Sequence, residues 1–252
     1  MTNELVIRPD WPAPSQIKAY TTLREGGVSL APYHNFNLGM HTGDNPIDVS
    51  TNRRRLKTVL GIPSEPIWLN QTHSAIVLPA LLTHLNQEAD ATYTDELNRV
   101  CIVLTADCLP ILLCHHSGSH VAAIHAGWRG LVKGIISETL TALKLPPEEC
   151  IAWLGPAIGP EAFEVGNIVR QLFIQCEPET ATAFIPSPNG KWLGNLYTLA
   201  RCFLQKQGVT HIYGGTYCTY SEKSRFFSYR RDGEKTGRMA SLIWINDSRI
   251  NN

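Results

Sequence analysis

Short apolar runs, broken by polar and glycine-proline punctuation, organise this chain. Residues 5–7 and 17–22 read as short strands. Asp44-Asn45-Pro46 predicts a helix start, with proline near the first turn and an inner stripe of Val49, Leu56, Val59 and Leu60. Gly61-Ile62-Pro63 ends it. Residues 66–69 and 75–78 are predicted strands, with Asn70-Gln71-Thr72-His73 between them. From Cys101 to Trp128 two apolar runs flank a turn at Ser117-Gly118; 101–104 and 111–114 predict a buried strand region and 121–125 its neighbour. Residues 131–143 predict one helix with Leu131, Ile135, Ile136, Leu140 and Leu143 on one face. A strand at 151–154 runs into a loop at 155–160. Two more helices follow, the first burying Val165, Ile168, Val169, Leu172 and Phe173, the second spanning about 196–207 with Gly208 as its stop. Residues 212–217, 226–229 and 239–245 return as strand. Strands and helices mix without a βαβ rhythm, which predicts an α+β fold: mixed β-sheets packed together, helices on the outside, one domain over 1–252.

The 252 residues, 43% apolar, are enough for a large core. Lys+Arg and Asp+Glu both count 22, so the net charge is zero. Nucleic acid and anionic membrane surfaces are therefore excluded as expected partners. The start, MTNELVIRPDWPAP, lacks the basic and apolar regions of a secretory signal. No apolar run approaches the roughly 18 residues of a membrane span. The seven cysteines are irregularly spaced and contain no CxxC pair, which argues against a disulfide framework, a zinc ribbon or a thioredoxin-type motif. A cytoplasmic protein with reduced thiols is expected, as a monomer or a homodimer.

A charged residue and a thiol inside a buried run point to chemistry. Asp107-Cys108-Leu109-Pro110 interrupts the first apolar run, and His125-Ala126-Gly127-Trp128 closes the second. With His73 they offer one thiolate and two imidazoles. That set suits zinc and leaves a fourth position for water or substrate. Asp107 would lie on the face opposite Cys108 in a regular strand, and reaches a ligand histidine or the substrate only if Pro110 breaks the pleat. Buried cysteines usually fill space, and a lone histidine on a strand is commonly a hydrogen-bonded structural group. The spacings of 35 and 17 residues match no familiar metal pattern. Residue types alone leave both readings open.

The segments NQTHSAIV, TADCLPILL, AAIHAGWRGLVKGI, LGPAIGPEAFEVG, CTY and FFSYRRDGEKTGRMASLIWI, with TTLREGGVSLAPYHNFNLGMHTGDN near the start, resemble the laccase-domain family of bacterial proteins. The family is also called the polyphenol oxidase or peptidoglycan editing factor family, and its members include purine nucleoside phosphorylases. The resemblance runs from about Tyr20 to Ile245. It implies a zinc ion held by His73, Cys108 and His125; those residues, together with Asp107 from its place beside Cys108, are the expected catalytic group. It also implies the mixed-sheet fold and the substrates: phosphate with adenosine, inosine or 5′-methylthioadenosine.

Arg24, beside Gly26-Gly27, and Arg129, at the expected start of a helix, are candidate phosphate ligands. Asn37 lies in a family-like block and is a further candidate for substrate binding; the role of Asp90 is open. Arg230-Arg231-Asp232-Gly233 reads as a hairpin turn with solvated charges. Phe36, Trp128 and Tyr220 are candidates for stacking on a purine. His115 and His116, as adjacent strand residues, would point apart and share no metal.

Three reactions compete. One is phosphorolysis of purine nucleosides, with adenosine deamination as a side activity. A second is a cysteine hydrolase with Cys108 as nucleophile, editing cell-wall precursor peptides. The third is a copper-dependent polyphenol oxidase. The His-X-His pairs of multicopper sites are missing, so copper taken up by the His₂Cys set implies phenol oxidation only as a side activity.

Overall fold

The apolar segments from 100 to 115 are buried on both faces because the chain carries them from one sheet into the middle of another. The structure is a computed structural model describing residues 5–247; the expected domain bounds at 1 and 252 fall outside the described residues. In chain order the strands are β1 (Val6–Ile7), β2 (Ile17–Thr22), β3 (Val77–Pro79), β4 (Ala91–Thr94), β5 (Val100–Thr105), β6 (Leu109–His115) and β7 (Val121–Ala126). They continue as β8 (Cys150–Leu154), β9 (Glu164–Val165), β10 (Phe184–Pro186), β11 (Trp192–Gly194), β12 (His211–Gly214) and β13 (Met239–Ile245). The helices are α1 (Pro46–Leu60), α2 (Trp128–Val132), α3 (Ile135–Leu143), α4 (Asn167–Cys176), α5 (Leu196–Lys206) and the single turn α6 (Tyr229–Asp232).

An antiparallel sheet, β1-β2-β13-β5, packs on a mixed sheet, β12-β8-β6-β7-β4-β3, whose parallel pairs lie at its two edges. Alternation along each strand assigns the faces. Cys101 and Val103 of β5 meet Leu112 and Cys114 of β6 in the core between the sheets. Val100, Ile102 and Leu104 face outward onto Leu56 of α1. Leu109, Ile111 and Leu113 face the other way, onto residues of α3 and α5. The expected α+β class, with helices outside packed mixed sheets, is the architecture observed. A small sheet, β10-β11-β9, was not expected. No helix among the described residues is long and apolar enough to cross a membrane.

Several elements differ from the sequence expectation for local reasons. Residues 101–104 and 111–114 belong to different sheets. The helix expected over 131–143 is broken at Gly134, whose φ of 89° lies in the left-handed region. In α1 the cap is Asn45, as expected, but Val59 is exposed and Asn52 points inward. The Asn52 amide bonds the Val28 N–H, the Ser29 hydroxyl and the carbonyls of Asn35 and Asn37. Ile168 is exposed and Val165 lies in β9, so neither belongs to the buried face of α4. Residues 66–69 form no strand, and 226–229 lead instead into α6, which Ser228 caps by accepting from the Arg231 N–H.

Candidate functional site

The chain leaves β5 at Thr105, bends through Ala106-Asp107-Cys108, and enters β6 at Leu109. Asp107 takes φ 86°. The thiol thus sits on the bend between two sheets, not within a regular strand. β7 brings His125 to the same end: it pairs in register with Pro110, and its 125 position lies on the inter-sheet face with Val121 and Ala123. His73 arrives from the 70–76 segment with φ 57°. The ligand atoms of His73, Cys108 and His125 all lie within 4.8 Å of one another. These three line a cavity of about 550 Å³.

One carboxylate holds both histidines. Asp90, fully buried just before β4, accepts from His125 Nδ1 at 2.7 Å. It also accepts the backbone N–H groups of Thr72, His73 and Ser74 and the Ser74 hydroxyl. Burial alone would raise its pKa, but the hydrogen bonds from His125 and Ser74 outweigh burial and hold it down at about 2. With Nδ1 bound to Asp90, the other ring nitrogen of His125 is the one available to a ligand, the arrangement that orients metal-binding histidines. Burial would lower the His125 pKa; the neighbouring Cys108 and Asp90 overcome it and raise it to about 9. His73 is pushed the other way, to about 4, by burial and then by nearby His125, so it is a neutral donor at ordinary pH.

The donor set fits a metal ion on structural grounds. His73 Nδ1 is buried with no hydrogen-bond partner among the described residues, a costly state unless something else meets it. Gly127 leaves the space: a Cβ there would lie 2.9 Å from both Cys108 Sγ and His73 Nδ1. Two imidazoles and a thiol suit zinc, and also take copper.

The remaining walls are cationic and aromatic. Arg129, Arg230, Arg238 and His41 line the cavity, with Trp128, Phe163 and Tyr229. The Arg129 guanidinium lies 4.4 Å from the centre of the Trp128 ring and makes no hydrogen bond to the protein among the described residues. Arg230 donates to the Ala162 and Glu164 carbonyls. This lining can receive an anion and a flat ring side by side.

Not every candidate reaches the cavity. Arg24 donates to the carbonyls of His34 and Lys223 and packs on Phe227, and it is not among the residues that line the cavity. Asn37 is fully buried; its amide donates to Thr42 and Asp44, and its oxygen accepts the Gly39 and Arg238 N–H groups. It meets the cavity wall through the Arg238 N–H and through the 39–42 turn that carries His41. Asp107 lines the cavity, but its carboxylate accepts from Thr219 Oγ1 and the Arg230 N–H, both at 2.6 Å. The carboxylate that reaches a ligand histidine is Asp90; Asp107 stands in the cavity wall, where a substrate would meet it. Arg230 stands on α6 and not in a hairpin turn; it is exposed, as expected, and also lines the cavity. Phe36 is core, and Tyr220 lies outside the cavity; Trp128 is the stacking candidate that stays. Arg238 and His41 carry no sequence signal of their own, and Gly127 reads from sequence only as part of a sharp strand-to-helix turn. Asp90 carried a signal, an acid flanked by alanines at a strand entrance.

Residues 18–246 match the family described as multi-copper polyphenol oxidoreductase laccase. A Haemophilus influenzae protein named purine nucleoside phosphorylase is 53% identical over 95% of this chain and 98% of its own length. The Escherichia coli purine nucleoside phosphorylase YfiH is 49% identical over 95% and 98%. A Neisseria meningitidis crystal structure superposes with a TM-score of 0.93 at 49% identity, covering 97% of this chain and 100% of that one. YlmD from Geobacillus stearothermophilus gives 0.92 at 30%, covering 98% of both.

Proposed function

Since the chain belongs to the multi-copper polyphenol oxidoreductase laccase family, we propose that it is a cytoplasmic, zinc-dependent purine nucleoside phosphorylase. Adenosine, inosine and 5′-methylthioadenosine are its substrates, and adenosine deamination is a side activity. The names of its relatives support the reaction. The observation that carries the reading is the convergence of His73, Cys108 and His125 beside three arginines in one cavity.

His73, Cys108 and His125 would hold the ion, which would supply Lewis acidity when bound. Arg129, Arg230 and Arg238 draw phosphate into the cavity and hold it oriented. A phosphate oxygen forms a bond to C1′ as the bond from C1′ to the purine nitrogen breaks. The bonding pair leaves with the base, which takes up a proton, and ribose 1-phosphate remains. Charge gathers on the ribose in the transition state, where bound phosphate offsets it. Trp128 offers a ring face to the purine. Asp107 holds the Arg230 backbone through its hydrogen bond, a positioning role.

The test incubates the purified protein with adenosine, with and without phosphate, and resolves ribose 1-phosphate, adenine and inosine. Phosphate-dependent adenine release is expected, with some inosine in either case. Cys108→Ala should lose metal and activity together. Full phosphate-dependent release by that variant without metal would overturn the assignment.

One observation favours a second reading. The sulfur of Cys108 and a ring nitrogen of His125 lie within 4.8 Å of each other, the neighbourhood a cysteine hydrolase would use on cell-wall precursor peptides. Peptide cleavage by the metal-free protein, abolished by zinc, would select that reading. Copper at the same set supports phenol oxidation only as a side activity.

A further inference from the structure

At the opposite end of β6 and β7 from the cavity, the hairpin between these strands gathers a second set of donors. We propose that His115, His116 and Glu149 form a second site for a divalent transition ion, independent of the cavity and of the reaction assigned to it. Their ligand atoms lie within 4.8 Å of one another. Adjacent strand residues would point apart, but β6 ends at His115 and His116 already belongs to the turn. The two rings accordingly lie close, with centroids 4.4 Å apart. Glu149 ends the short helical turn before β8, and its carbonyl accepts the His116 N–H at 2.8 Å. Register pairing of His115 with Cys150 fixes the two segments together.

The contacts of His115 explain how an ion would enter. Its Nε2 lies 2.7 Å from Glu149 Oε2, and its Nδ1 lies 2.6 Å from the Ser117 hydroxyl. A ring nitrogen and a carboxylate oxygen that close need a proton or a cation between them. Without metal, the Ser117 N–H approaches Nδ1 at 3.2 Å, which leaves the proton on Nε2 facing Glu149. On binding, Nε2 would release that proton to solvent and turn its lone pair to the ion, while Nδ1 would take one up and donate it to the Ser117 hydroxyl in place of accepting from the Ser117 N–H. A hydroxyl behind a ligand imidazole fixes its orientation. His115 is nearly buried while His116 is exposed, so one donor is preset and the other can close on the ion. Two imidazoles and a carboxylate suit zinc, nickel or copper(II). His120, whose ring centroid is 6.4 Å from that of His115, borders the site.

Zinc alone is the probe, titrated into metal-free wild type, Cys108→Ala, His116→Ala and the double variant. The expected stoichiometries are about two ions, one, one and none, with the site that survives in Cys108→Ala weakened roughly tenfold or more by Glu149→Gln. Zinc should raise the melting midpoint of Cys108→Ala and leave that of the double variant unmoved. His116 is exposed, so its replacement leaves the fold and nucleoside cleavage intact. Two ions bound by His116→Ala overturn the proposal, as do an unchanged affinity on adding Glu149→Gln to Cys108→Ala and a Cys108→Ala protein that binds no zinc. A single ion lost only in His116→Ala would support this site and count against the cavity site, so the two proposals fail separately.

Discussion

Replacing Gly127 by alanine separates the site from the fold. Gly127 adopts φ −67° and ψ 162°, extended values that alanine takes without strain. The added methyl therefore acts through space alone. It meets Cys108 Sγ and His73 Nδ1, each 2.9 Å away, where ordinary contact begins at 3.4 Å. The Cys108 sulfur can swing about its single side-chain torsion and the rigid His73 ring can turn as a unit, so each can retreat by about half an ångström. A metal site tolerates only about 0.2 Å in its ligand distances. Displacing two of three donors should weaken zinc roughly 10- to 100-fold, by analogy with disturbed supporting groups, or about 1.4–2.8 kcal/mol at about 1.4 kcal/mol per tenfold. The metal-free variant should lose no stability and can gain about 0.4–1 kcal/mol from its stiffer unfolded chain. Competition against a fluorescent zinc chelator reads the first quantity, and urea unfolding in EDTA reads the second. Wild-type zinc affinity in a folded Gly127→Ala protein would refute the shared use of Cys108 and His73.

Asp90→Asn should also cost roughly 10- to 100-fold in zinc affinity, measured by the same competition. It should change the acid response too. Because the folded Asp90 carboxyl sits at about 2, below its ordinary 3.8, the stability it contributes is complete above pH 4 and is lost as pH falls toward 2. Urea midpoints of the metal-free proteins between pH 5 and 2 should therefore fall more steeply in wild type than in the variant; equal slopes would remove Asp90 from this role. Arg129→Ala and Arg230→Ala should each raise the phosphate concentration needed for half-maximal rate roughly tenfold or more, the loss of one charged hydrogen bond. Arg24→Ala should leave it unchanged, and a large rise there would return Arg24 to the anion site. Trp128→Ala should raise the nucleoside KM by roughly fivefold or more, and an unchanged KM would place the purine elsewhere.

The elements that sequence reasoning found are those whose signals are local. Asn45-Pro46 and Gly61 bound α1 by capping geometry, and the apolar runs of β6, β7 and β13 mark strands whatever their partners. The division of β5 and β6 between two sheets depends on pairing with β13 and β8, strands distant in sequence. The site shows the same boundary. His73, Cys108 and His125 stood out as reactive types next to apolar runs, and family resemblance named them together. Asp90 and Gly127 act through space, one by holding both histidines and one by lacking a side chain, so their meaning appears only when three segments meet. Arg24 and Asn37 were sound candidates by type and neighbourhood. Their hydrogen bonds to His34, Lys223, Thr42 and Asp44 turn them toward holding loops.

Crystals grown with equimolar zinc, measured on both sides of the zinc absorption edge, address the shared ion most directly. The arrangement predicts an anomalous peak in the cavity, about 2.3 Å from Cys108 Sγ and about 2.0–2.1 Å from a ring nitrogen of each of His73 and His125. A cavity without a peak, or a peak bonded to only one of the three, would contradict it.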